Sequence, residues 1–76
     1  NPGKNYFILE YDIREFVGVP TVKITDITGK PFAFIRLSYK QNQMVQATND
    51  WPAGIYLIQL AIDNSIIESC KLSIIK

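Results

Sequence analysis

Glu10 and Asp12 stand two residues apart in a stretch of alternating apolar side chains. On a strand, positions i and i+2 project from one face, about 6.5–7 Å apart along the chain. Two carboxyl groups at that separation suit an inverting glycosidase, in which an acid and a base flank a water. The same pair is also what a solvated strand face looks like, and Arg14 continues that face and neutralises it. Ser69 and Lys71 have the spacing of a Ser–Lys dyad, but alternation makes both outward surface residues. Histidine is absent. That removes the usual general base, the usual partner of a nucleophilic Ser or Cys, and the commonest zinc ligand. Cys70, the single cysteine, has no imidazole to activate it and reads as a buried structural thiol on the inner face of its strand. An internal disulfide is impossible with one cysteine. The residues predict no enzyme.

Ligand sites fare no better. Asn49-Asp50 and Asp63-Asn64-Ser65 carry oxygen ligands, but calcium takes about six to eight oxygens and no EF-hand spacing is present. Turn formation explains these residues without a metal. Gly29 and Gly54 are isolated and build no phosphate loop. Neither metal nor cofactor is expected. Trp51, in Asn49-Asp50-Trp51-Pro52, would stack on a sugar or dock a partner if exposed. The favoured reading is that it caps the core before the next strand. The 8 basic and 7 acidic residues leave a net charge of +1. The basic ones are spread from Lys4 to Lys76 rather than gathered on one face, which argues against DNA, RNA or an anionic membrane. No run approaches the roughly 18 apolar residues of a membrane helix.

The elements that would position these residues are strands. Ile, Val, Thr, Tyr, Phe and Trp number 29, against 10 for Ala, Leu and Met. Branched and aromatic side chains suit a pleated, half-buried surface. Pro2-Gly3, Gly18 with Pro20, Gly29 with Pro31, and Pro52 with Gly54 punctuate the chain. Lys40 to Gln43 is a further break, and Asp63-Asn64-Ser65 reads as a hairpin turn. Between breaks, Tyr6 to Ile13 places Phe7, Leu9, Tyr11 and Ile13 on one face. Thr21 to Asp26 sets Val22 and Ile24 against polar neighbours. Phe32 to Tyr39 shifts phase at Phe32-Ala33-Phe34, where a bulge would fit. Met44 to Thr48 is short. Ile55 to Ile62 is apolar on both faces apart from Gln59, as a central strand would be. Ile66 to Ile75 groups Cys70, Leu72 and Ile74 on one side. Ile13 to Val19 leaves room for one strand more. The expectation is a single all-β domain over residues 1–76, a small antiparallel immunoglobulin-like β-sandwich of six to seven strands. The opening Asn1-Pro2-Gly3, without Met, reads as a boundary within a longer protein.

Four features then occur in a recognisable order. They are Asn1-Pro2 before an apolar strand; Val22-x-Ile24-x-Asp26-x-x-Gly29-Lys30; Pro52-Ala53-Gly54-Ile55-Tyr56; and the ending Lys71-Leu72-Ser73-Ile74-Ile75-Lys76. Together they resemble the type A C-terminal sorting domains of proteins exported by the type IX secretion system of Bacteroidetes. The resemblance spans essentially the whole chain. Trp51, where the family has an aliphatic residue, and Ile66-Ile67-Glu68 with Cys70 depart from the pattern. The resemblance implies a folded address. The outer-membrane translocon reads it from the periplasm, and a sortase-like protease removes it while joining the cargo to the cell surface; the cargo is secreted or surface-attached. The basic-bracketed terminus places direct reading at Lys71, Leu72, Ile74, Ile75 and Lys76, with Gly54 and Tyr56 shaping the last hairpin. Asp26, Gly29 and Lys30 form a structural turn. Exposed edge strands predict a homodimer by edge pairing or strand swapping. The other readings are an immunoglobulin-like accessory module binding carbohydrate or protein through Trp51, and a structural spacer.

Overall fold

The computed structural model describes residues 5–76; Asn1-Pro2, Pro2-Gly3 and Lys4 lie outside the described residues. Six strands follow in order: β1 (Tyr6–Glu10), β2 (Pro20–Asp26), β3 (Pro31–Arg36), β4 (Gln43–Ala47), β5 (Gly54–Ile62) and β6 (Ser65–Ile74). They form two antiparallel sheets, a two-stranded β1-β4 and a four-stranded β3-β2-β5-β6. The result is the all-β sandwich the sequence predicts, at the lower strand count. Ile13 to Val19 holds turns rather than a strand.

Alternation places the core. Val22 and Ile24 on β2 and Tyr56, Ile58, Leu60 and Ile62 on β5 are buried, and these two strands occupy the middle of the larger sheet. Phe7 and Leu9 of β1, and Tyr11 just beyond it, pack against this core. β1 ends at Glu10, short of Ile13, yet the inward phase persists and Ile13 is buried.

The phase shift in β3 is a bulge. Ile24 pairs with Ala33 and Thr25 with Pro31, so Phe32 is the extra residue. Strict alternation would put Phe32 outside beside Phe34. The bulge turns it inward instead, with its ring centroid 5.4 Å from Trp51 and 5.0 Å from Tyr56. Phe7 meets Trp51 edge-on at 6.3 Å. Trp51 is thus a buried cap, and its ring is not presented to a ligand.

The β5–β6 hairpin closes through Asp63 and Asn64, at φ 49° and 69°. Two successive residues with positive φ are what a type I′ turn requires. Asp63 also clamps the chain entering β2: its carboxylate accepts from Val19 N–H at 2.7 Å, and its own N–H donates to Val19 C=O at 2.9 Å. Gly18 suits that corner, with φ at 136° and a Cβ that would lie 2.4 Å from Asp63 Oδ2 and 2.8 Å from Ile62 Cγ2.

Cys70 departs from expectation. It lies on the inner side of β6 with Leu72, but it is exposed rather than buried. It lines an open cleft between β6 and Leu9, Glu10 and Tyr11 opposite.

The bulge gives a sharp test. Phe32→Ala should cost about 3 kcal/mol, and Phe34→Ala less than about 0.5 kcal/mol, measured by urea unfolding. Equal costs would refute the inward rotation of Phe32.

Candidate functional site

The Asp26 turn is built from backbone donors. Asp26 Oδ1 accepts from Thr28 N–H at 2.8 Å, from the Thr28 hydroxyl at 2.6 Å and from Lys30 N–H at 3.0 Å. The Asp26 backbone also bonds to Gly29 and Lys30. Gly29 completes the turn at φ 95°, a conformation that L side chains rarely adopt. The Thr28 hydroxyl, followed by the two backbone donors, holds the Asp26 carboxyl below its ordinary value. Lys30 extends over the Phe32 ring at 5.4 Å. The sequence shows Asp26 and Gly29 as turn-formers but gives no sign of the contribution from Thr28.

Gly54 opens β5, and Tyr56 is buried with its hydroxyl donating to Pro52 C=O. Tyr56 therefore shapes the strand and is not itself a contact surface. Across the sheet, Asp26 pairs with Tyr56 and Tyr56 with Leu72, so one rung runs through β2, β5 and β6. The neighbouring rung joins Thr25, Leu57 and Lys71. Gly54 pairs with Ile74. Segments far apart in sequence thus meet at one end of the large sheet. An open cleft of about 350 Å³ there is lined by Asp26, Ile27, Gly29, Ile55 and Lys71 among others.

Lys71 is exposed, and Leu72 and Ile74 are half-buried against the core. Ile75 is exposed beyond the strand. Lys76 folds back, its Nζ donating to Asn49 C=O at 3.1 Å and Thr48 C=O at 3.4 Å. The bracketing lysines thus differ, one free on the surface and one tied to the loop that carries Trp51. The loop carbonyls that hold Lys76 leave no mark in the sequence.

The carboxylate pair does not form the arrangement expected on a strand face. Glu10 ends β1, while Asp12 lies outside it and pairs with Arg14 at 3.0 Å (Nε) and 2.8 Å (Nη2). Those bonds pull the Asp12 carboxyl from 3.8 down to about 2. Ser69 and Lys71 are both exposed, as alternation predicts.

What gathers at the sheet end is turn geometry, a buried anchor and surface-exposed side chains. All 76 residues match the secretion system C-terminal sorting domain, and the chain belongs to that family. It is a type IX sorting signal, from a family of signals and not of enzymes, which works with the type IX machinery in export through the outer membrane. Neither a curated protein nor a solved structure matches the chain.

Asp26 ties the turn to pH. Its folded carboxyl titrates below the unfolded one, so its contribution is full above the ordinary value of 3.8 and is lost as pH falls through the lowered value. Asp26→Ala should lower stability at neutral pH and flatten the acid limb below about pH 4, followed by thermal unfolding across pH. An acid limb unchanged from the parent would refute the assignment. Gly29→Ala, with open space around the new Cβ, should cost about 1 kcal/mol through backbone strain alone.

Proposed function

We propose that this domain directs an attached cargo through the type IX outer-membrane translocon by presenting one end of its larger sheet. The surface comprises the Asp26–Lys30 turn, the Gly54 entry to β5 and the Lys71–Lys76 segment. The observation that carries this reading is the rung Asp26–Tyr56–Leu72, which brings the family-like segments side by side. Lys71 and Ile75 offer exposed charge and apolar surface for direct contact. Gly54, Tyr56, Leu72 and Ile74 hold that surface in shape, and Lys76 fixes the segment to the Thr48–Asn49 loop. A sortase-like protease of the same system then removes the domain and attaches the cargo to the cell surface. Domains freed from cargo pair through exposed strand edges at high concentration.

A fluorescent reporter carrying a signal peptide and residues 1–76 should reach the surface or medium of a host with an active type IX system. It should stay periplasmic in a translocon-defective strain. Lys71→Glu, which reverses an exposed charge without touching the core, should cut export about tenfold or more while urea unfolding stays unchanged. Full export of this variant would move recognition elsewhere on the domain. Light scattering should show a dimer fraction growing with concentration, and a monomer throughout would exclude pairing.

A further inference from the structure

The two sheets leave a seam between β1 and β6. β1 pairs only with β4, and β6 only with β5. Two clefts lie along this seam, one at each end. The first, about 130 Å³, is lined by Leu9, Glu10, Tyr11, Leu60 and Glu68 among others. The second, about 140 Å³, is lined by Phe7, Leu72 and Ile74 among others.

The ladder settles which backbone groups face the seam. Thr48 N–H donates to Asn5 C=O, and Tyr11 N–H donates to Asn42 C=O, in the same register that pairs Phe7 with Gln46 and Leu9 with Met44. Antiparallel pairs alternate between bonded and non-bonded. The odd residues of β1 therefore spend their backbone groups on β4. Tyr6, Ile8 and Glu10 point their N–H and C=O away from it, toward the seam. The β1–β4 register is unbroken, so no bulge blunts this edge. β6, by contrast, carries a register shift near Ile67 and an exposed Lys71.

We propose that the seam accepts an extended segment of a partner protein, added antiparallel to β1 as a third strand of the smaller sheet. Inward residues of that segment sit opposite Phe7, Leu9 and Tyr11. Its apolar side chains at positions i and i+4 span the two clefts, about 13 Å apart on a strand. Glu10 and Glu68 flank the first cleft and have no basic partner among the described residues. The segment therefore carries a basic residue at its N-terminal end, which lies beside Glu10 in the antiparallel direction. The second cleft shares Leu72 and Ile74 with the segment proposed for translocon reading, but the β1 edge lies outside that surface and the proposal does not rest on that reading.

The probe is a synthetic ten-residue peptide of alternating valine and threonine with two N-terminal lysines, titrated against the full chain by NMR. Expected are saturable shifts and slowed amide exchange at Tyr6, Ile8 and Glu10. Ile8→Pro removes a donor that the β1–β4 ladder does not use and should weaken binding about tenfold or more. Val45→Pro, which removes the equivalent unused donor on the outer edge of β4, should leave binding unchanged. Glu68→Lys, at an exposed position, should weaken the lysine peptide and strengthen one with two N-terminal glutamates. No saturable binding, equal loss from both proline variants, or indifference to Glu68→Lys would each overturn the proposal. The Glu68 comparison decides alone if a proline variant fails to fold.

Discussion

Two strands have to roof four. Neighbouring strands lie about 5 Å apart, so the β1–β4 ribbon covers roughly half the width of the β3-β2-β5-β6 sheet. Burial follows that constraint. The inward residues of central β2 and β5 are sealed, while those of edge strands β3 and β6 are mostly half-covered or open. Among the described residues no third strand joins the smaller sheet to close the gap. The chain uses aromatic volume instead. Trp51, Phe32, Tyr56 and Phe7 fill one end of the sandwich where another strand would otherwise be needed. The bulge at Phe32 and the Trp51 loop both serve that end.

The same constraint explains why the segments shared with sorting signals have structural work to do. Tyr56 belongs to the aromatic plug, and its hydroxyl holds the Pro52 carbonyl just before β5 begins. Asp26 ends β2 by converting its carboxylate into an acceptor for the following turn, which sets where β3 starts and hence where Phe32 falls. Lys76 secures the loop behind Trp51. In a domain this small, residues that shape the surface at the sheet end also hold the core beneath it.

Legibility from sequence tracks how local the cause is. The alternation Phe7-Leu9-Tyr11-Ile13 names its face correctly past the end of the strand, because side-chain direction is set by the backbone residue by residue. The Asp63-Asn64 turn and the phase break at Phe32 are likewise local. Cys70 is misread because its face is right and its cover is missing. Whether an inward residue is buried depends on how far the opposite sheet extends, and nothing near Cys70 in sequence carries that information. The strand through Glu10 and Asp12 is read too long for a related reason, since β1 ends with its β4 pairing at Glu10, while the neutralising Asp12–Arg14 pair expected from the sequence is present. The tether of Lys76 to backbone carbonyls depends on a meeting across 27 and 28 residues.

Edges left open by a narrow roof are a hazard in most small sheets, and the two edges at the seam are managed differently. β6 has a register shift, Glu68 and Lys71 along it, each of which discourages an indiscriminate partner strand. β1 has an unbroken register and exposed Tyr6 and Ile8, with charge only at Glu10. Negative charge at one end of an otherwise neutral edge does not prevent pairing; it selects direction, because only one orientation of an incoming strand places a basic residue there. The narrow second sheet thus leaves an edge that is incomplete and polarised, so a strand that completes the sandwich must match it in both pattern and sense.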